Sequence, residues 1–144
     1  MYHPGHGKPE LWTAVGMSRS AARMLLIASS VAMSVAGVAA SFAPVEILKA
    51  LGSTAPGTAA ILVQLLGALY LAFAMTNWTA KGAPIGGIYS RPISTGNLVH
   101  FTMGALALAK YGSLHGPDYL LPALVAVYAI FAIAFGLLVF GPVK

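Results

Sequence analysis

Four long apolar stretches, separated by short segments rich in glycine, proline and polar residues, organise the chain. They cover about residues 23–42, 58–80, 93–111 and 119–140. A membrane-spanning helix needs about 20 predominantly apolar residues, and each stretch is close to that length. The pattern therefore predicts an all-α integral membrane protein. Because the connections are mostly short, we expect its four helices to pack as an up-down-up-down bundle.

A shorter pattern follows the first apolar stretch. Pro44 ends that stretch, and the segment VEILKALG over residues 45–52 comes next. Three apolar side chains recur along it at helical spacing and share one face: Val45, Leu48 and Leu51. The intervening Glu46 and Lys49 are polar. This arrangement predicts a short amphipathic helix that lies at the membrane surface and ends at Gly52.

Composition supports the membrane class and excludes several kinds of chemistry. Of 144 residues, 58% are hydrophobic and 8% are charged, against roughly 25% charged in soluble domains. Cysteine is absent, which excludes disulfides, thiolate metal sites and a cysteine nucleophile. The three acidic residues all lie outside the apolar stretches: Glu10, Glu46 and Asp118. No apolar stretch therefore contains the carboxylates that a paired-carboxylate active site needs. We expect a protein that is not an enzyme and holds no metal.

If the four stretches cross a membrane, the basic residues are distributed unequally between its two sides. Six share the side of the N-terminus: Lys8, Arg19, Arg23, Lys81, Arg91 and Lys144. The other side has only Lys49 and Lys110. Since Lys and Arg are enriched on the cytoplasmic side, both termini are predicted to be cytoplasmic, in a bacterial inner membrane. Residues 1–20 would form a cytoplasmic segment and residues 21–144 the transmembrane domain.

Small residues and turn-forming residues lead to two further predictions. Four alanines recur every four residues in the first stretch and would let another helix approach closely: Ala28, Ala32, Ala36 and Ala40.

Residues 82–97, GAPIGGIYSRPISTGN, contain four glycines and two prolines. Such a composition disfavours regular structure, so we expect a structured or partly re-entrant loop there.

Candidate ligand-binding residues concentrate near the cytoplasmic ends of the second and third spans. They are Asn77, Trp78, Lys81, Tyr89, Arg91, Asn97 and His100. Gln64, an amide in the middle of the second span, is a further candidate. Two cations with amide and indole donors suit a phosphate, a carboxylate or a quinone-like oxygen. The same residue types also anchor helices at any membrane interface. For Gln64, the structural alternative is a hydrogen bond between helices.

His100 lies inside the third apolar stretch, between Gly96 and Gly104 at helical spacing. A polar residue at that depth is costly and suggests a function. Three interpretations remain open. The histidine is a structural residue bonded to Gln64 or Asn77 beside a neighbouring helix, it binds a ligand or a proton, or it is an axial ligand of a flat tetrapyrrole such as haem.

The order of these segments resembles the DoxX-like family of small four-helix membrane proteins. The resemblance covers about residues 24–140. It rests on FAPVEILKALG after the first span and on QLLGALYLAFAMTNW in the second. It implies a four-helix membrane bundle, and some relatives are linked to redox or respiratory partners. The segment NWTAKGAPIGGIYSRP does not map onto a defined site of the family, so no functional residue carries over.

These patterns predict a non-enzymatic membrane protein that binds a lipid, a quinone or another amphiphile at its cytoplasmic face, or that serves as an accessory subunit of a membrane complex. One alternative is a homo-oligomeric channel or carrier for a small anion. Another is a haem- or pigment-binding subunit that uses His100. The expected partners are membrane lipids, and either further copies of the chain or a larger complex. Nucleic acid is not expected, because the basic residues flank apolar stretches.

Overall fold

The computed structural model describes residues 17–53, 57–85, 88–115 and 120–141. Most of these residues belong to five helices: α1 Arg19–Phe42, α2 Pro44–Ala50, α3 Gly57–Ala80, α4 Ser90–His115 and α5 Leu120–Phe140. Strands are absent from the described ranges, so the all-helical prediction is confirmed for them. Residues 1–16 of the expected cytoplasmic segment lie outside the described residues.

Three helices are long and apolar enough to cross a membrane, judged by their length and composition: α1, α3 and α5. They indicate an integral membrane protein. Helix α4 is longer, with 26 residues, but polar side chains in its first half keep it out of this group. The third predicted span, about residues 93–111, is therefore a helix that its length and composition do not mark as a membrane span.

The start of α4 corrects the prediction of a loop over residues 82–97. The helix begins at Ser90, so residues 90–97 form its first two turns, and residues 81–85 and 88–89 form turns and bends. Pro92 is the third helical residue. The first four N–H groups of a helix have no partner within the helix, so a proline costs little there.

The chain divides into two compact units, and each is described by itself. Leu26–Gly82 forms the first, which we call the α1–α3 unit. The second combines the described residues of Ala83–Lys144 with those before Leu26, and we call it the α4–α5 unit.

In the α1–α3 unit, the two long helices run antiparallel with their backbones in close contact. Ser30 Oγ donates a hydrogen bond to the Ala74 carbonyl oxygen at 2.7 Å. Further along, a Cβ added to Gly67 would lie 2.7 Å from Ser41 N and 2.9 Å from the Gly37 carbonyl oxygen. Only glycine permits this crossing, because any side chain at position 67 would meet the backbone of α1.

The helix face used for this contact differs from the predicted alanine stripe. Ala28 and Ala36 are exposed and Ala32 is half-buried, so only Ala40 of the four alanines is buried. The residues that contact α3 are instead Ser30, Met33 and Gly37. The prediction that the alanine stripe forms the close-approach face is therefore wrong for Ala28 and Ala36.

Helix α2 confirms the short helix predicted after Pro44. Pro44 is its first residue, where a proline is tolerated. At the other end, Gly52 has a positive φ of 72°. Gly52 N donates to the Lys49 carbonyl oxygen and Ser53 N donates to the Leu48 carbonyl oxygen, both at 2.9 Å. This pair of bonds is a Schellman motif, so the helix has a fixed end at the predicted glycine.

In the α4–α5 unit, the two helices form a second antiparallel pair. A Cβ at Gly136 would lie 3.7 Å from Leu98 Cδ1, and a Cβ at Gly112 would lie 2.9 Å from Leu121 Cδ2. The contacts thus run from the first third of α4 to its last turn. Residues 98–112 of α4 lie alongside residues 121–136 of α5.

Candidate functional site

Trp78 and Lys81 form a pair at the end of α3. They are three residues apart, so one helical turn brings them to the same side. Lys81 is the first residue after the helix, and its N–H donates to the Asn77 carbonyl oxygen at 3.1 Å. Lys81 Nζ lies 2.7 Å from the centroid of the Trp78 ring, and 47% of Trp78 is exposed. An ammonium over an indole face is worth about 0.5–2 kcal/mol, so the pair holds a positive charge at a defined position.

Asn77 lies next to this pair in sequence but points into the α1–α3 contact. It is completely buried. Its Nδ2 donates to Ser29 Oγ at 3.1 Å and approaches Met33 Sδ at 3.8 Å. Ser29 Oγ donates in turn to the Leu26 carbonyl oxygen at 3.1 Å. This side of Asn77 therefore joins two helices, as polar side chains do inside membranes.

Gln64 is far from the pair along the same helix. About four turns separate Gln64 from Trp78, or about 21 Å at 1.5 Å per residue. Gln64 Nε2 donates to the Ser41 carbonyl oxygen at 3.4 Å. The structure thus shows the hydrogen bond between helices that the sequence offered as the structural alternative. It does not bring Gln64 together with Trp78 and Lys81.

Tyr89 and Arg91 lie at the start of α4. Tyr89 directly precedes the helix and is 73% exposed, and its carbonyl oxygen accepts the N–H of Ile93 at 3.3 Å. Arg91 is the second helical residue and is also exposed. Both side chains are accessible, as an aromatic residue and a cation at a membrane interface usually are.

Asn97 and His100 lie one turn apart, further along α4. Asn97 is completely buried, and its Nδ2 donates to the Ile93 carbonyl oxygen at 2.9 Å within the helix. His100 is half-buried, and its Nε2 atom is buried. The imidazole centroid lies 5.2 Å from Phe101 and 5.9 Å from Tyr128. His100 is therefore part of the packing between α4 and α5.

An aromatic cluster surrounds this position. Phe101 stacks on Phe131 with ring centroids 4.7 Å apart and on Phe135 at 5.8 Å. The Tyr128 ring lies against Gly104, so closely that a Cβ there would overlap it. The space beside Gly104, which the sequence left open to a flat ligand or a neighbouring helix, is filled by a side chain of α5.

Sequence reasoning missed several of these contact residues. Ser29 and Ser30 are both buried and connect α1 to α3. Their signal was a pair of hydroxyl residues in the middle of an apolar stretch. The aromatic side chains of α5 recur at helical spacing, at positions 128, 131 and 135. That recurrence marks one face of the helix and would have identified the surface that packs on α4.

Comparisons with known proteins give no relative: no family model, no curated protein and no solved structure matches the chain. The resemblance to the DoxX-like family is neither supported nor contradicted and stays a prediction. Among the described residues, no group of three or more His, Asp or Glu side chains could hold a metal ion. The fold and these side chains define a helical membrane protein with a cation–π pair at the end of one apolar helix.

Proposed function

We propose that this chain is a non-enzymatic membrane protein that binds an anionic amphiphile, in the first place a phospholipid, at Lys81 and Trp78. The observation that carries the proposal is the Lys81 ammonium held over the Trp78 ring at the end of α3. Indole rings favour the headgroup level of a bilayer. A cation fixed at that level lies at the depth of lipid phosphates, and phosphate oxygens accept hydrogen bonds from ammonium groups strongly.

Two basic residues flank the connection between α3 and α4 in the sequence. Lys81 precedes it and Arg91 follows it, and both lie near exposed aromatic residues, Trp78 and Tyr89. Each Lys or Arg near an anionic lipid surface contributes about 1 kcal/mol of attraction. We infer that Arg91 and Tyr89 attract anionic headgroups at the start of α4, as a site of their own, while Gln64 and Asn77 serve the contact between α1 and α3.

Four crossings are part of this proposal, and the α4–α5 unit supports the fourth. Because α4 lies alongside α5 from residue 98 to residue 112, a bilayer that contains α5 contains that part of α4 at the same depth. Four crossings place both termini on one side. The excess of Lys and Arg on that side favours the cytoplasm and agrees with a bacterial inner membrane. This is also the architecture that the DoxX-like resemblance implies.

Native mass spectrometry of the protein in mild detergent tests the proposal. We expect retention of added phosphatidylglycerol over phosphatidylcholine, and we expect Lys81→Gln to weaken that retention several-fold. Lys81→Arg should preserve it, because arginine keeps both the charge and the stacking on indole. Lys49→Gln removes one exposed charge at the opposite end of the α1–α3 unit and is the matched control.

Several outcomes would overturn the proposal. They include equal retention of the two lipids, and equal losses for Lys81→Gln and Lys49→Gln. An adduct with the mass of a tetrapyrrole, lost in His100→Leu, would favour the haem-binding alternative instead. A defined oligomer that conducts anions in liposomes, without retained lipid, would favour the channel.

A further inference from the structure

The position of α2 along the α1–α3 unit defines its depth in a bilayer. Ser41, near the end of α1, lies beside Gly67 and Gln64 of α3. Helix α3 begins at Gly57, so it continues past the end of α1 by about two turns, or about 10 Å. Only Ala43 separates α1 from α2, and α2 packs against α3. Helix α2 therefore occupies the depth of the first turns of α3.

The surface of α2 is divided between apolar and charged side chains. Pro44 is buried, and Leu48 is half-buried. Pro44 and Leu48 belong to the apolar face of α2. At the edge of this face, Val45 is 44% exposed, and the neighbouring Phe42 at the end of α1 is 83% exposed. Glu46 and Lys49 are exposed on the remaining side.

We propose that α2 is an interfacial helix that binds the phospholipid surface of the leaflet opposite to the Lys81 end. Phe42 and Val45 lie among the acyl chains at their boundary with the headgroups. Glu46 and Lys49 lie among the headgroups, where a carboxylate and an ammonium complement a zwitterionic lipid. Because α2 lies within about 10 Å of the start of α3, it lies near one end of a helix that is apolar enough to cross a membrane, where interfacial helices bury their apolar face.

Continuity with the outer surface of α1 favours lipid as the occupant of this surface. Val35 and Val38 are 66% and 49% exposed on α1, on a helix apolar enough to cross a membrane. Phe42 continues this exposed apolar surface by one turn beyond Val38, and Val45 follows it on α2. The same lipid layer that covers α1 thus reaches α2 without interruption.

The hydrogen-bonded end of α2 and its packing on α3 preform the apolar face that would bind lipid. The two hydrogen bonds at Gly52 end the helix, and its packing on α3 holds its axis. An isolated seven-residue helix would be unstable in water, and a free segment would have to fold on the membrane. Here the apolar face exists before any lipid binds.

Site-directed spin labelling tests the inference, and the absence of cysteine from the chain makes single-cysteine variants simple to prepare. Nitroxides would be placed at Val45→Cys and at Glu46→Cys, with Val35→Cys as the reference for a lipid-facing position. The protein would be reconstituted in vesicles of dioleoylphosphatidylcholine. Collision rates with oxygen and with a water-soluble nickel chelate would then be compared.

At position 45 we expect oxygen collisions to exceed nickel collisions several-fold, as at position 35, and at the adjacent position 46 we expect the reverse. Equal nickel access at 45 and 46 would overturn the inference, since α2 would then lie in water. Protection of position 45 from both probes would also overturn it, because a protein partner or a second copy would then cover the surface. Neither result depends on lipid retention at Lys81, so the two proposals fail independently.

Discussion

Replacement of Gly67 by alanine tests the antiparallel contact between α1 and α3. The added methyl group would lie 2.6 Å from Ser41 Oγ, 2.7 Å from Ser41 N and 2.9 Å from the Gly37 carbonyl oxygen. Two of these atoms belong to the backbone, which cannot turn aside as a flexible side chain can. Because non-bonded atoms prefer about 3.5–4.0 Å, the two helices must separate by roughly 1 Å.

The expected cost follows from three contributions. Overpacking of a close contact costs about 1–3 kcal/mol. The separation also breaks the hydrogen bond from Gln64 Nε2 to the Ser41 carbonyl oxygen, already 3.4 Å long, which is worth about 0.6 kcal/mol inside a membrane. Alanine recovers up to about 1 kcal/mol through its higher helix propensity. We therefore expect Gly67→Ala to lower the free energy of unfolding by about 0.6–2.6 kcal/mol.

Equilibrium unfolding in mixed micelles, followed by circular dichroism as the denaturing detergent increases, measures this difference. Gly57→Ala is the matched control, since a Cβ at Gly57 meets no atom within 4 Å; its free energy of unfolding should remain the same or rise. If Gly67→Ala proved as stable as the unmodified protein, the backbone contact between α1 and α3 would be refuted.

Three further substitutions can be measured in the same assay. Ser30→Ala removes the hydroxyl that donates to the Ala74 carbonyl oxygen, and we expect a loss of about 0.6–1.7 kcal/mol. Gly104→Ala places a methyl group on the Tyr128 ring; we expect a loss of about 1–3 kcal/mol and a changed near-ultraviolet signal. Gly52→Ala forces a side chain into the positive φ at the end of α2 and should cost about 1–2 kcal/mol.

Each of these substitutions has a control in the same structure. Thr79→Ala removes a hydroxyl that bonds within its own exposed helix, and its effect should be smaller than that of Ser30→Ala. Gly136→Ala brings a methyl group into ordinary contact with Leu98 at 3.7 Å and should not destabilise. Gly82→Ala meets open space. A control that lost as much stability as its partner would contradict the mechanism assigned to that partner.

Local signals in the sequence predicted the ends of α2 correctly because they act over a few residues. The ring of Pro44 fixes its own φ, and Gly52 can adopt the positive φ that ends the helix because it has no Cβ. Pro92 misled the same reasoning. A proline ends a helix only when it lies in the interior, and the sequence did not reveal that Pro92 belongs to the first turn of α4.

The pairing of helices was harder to predict, because an apolar membrane helix has no polar face to show which side meets a neighbour. In α1, the alanine stripe and the positions of Ser30 and Gly37 are equally plausible contact faces by composition. The choice depends on Gly67, which lies on another helix. A single residue 30 positions away in the sequence therefore decides which side of α1 is buried.

Only part of the candidate site could be predicted, because the sequence did not show how the helices pair. Residue type marked Trp78 and Lys81 as interface residues, and their spacing of one turn placed them together. Residue type alone could not show that the Asn77 amide joins two helices, whereas about half of the neighbouring Trp78 is exposed. This difference depends on helical phase relative to α1, which becomes visible only when the two helices are paired.

The lengthwise contact between α4 and α5 has a consequence for biogenesis. Helix α4 is synthesised before α5, and its first half contains Arg91, Asn97 and His100. On its own, α4 is not apolar enough to be expected to enter the hydrocarbon core of a bilayer. α5, which follows after a short connection, is strongly apolar. In the proposed topology, α4 therefore enters the bilayer together with α5, as a hairpin whose second half provides the driving force. A chain truncated before α5 would lack that driving force, so we expect its α4 to remain outside the hydrocarbon core.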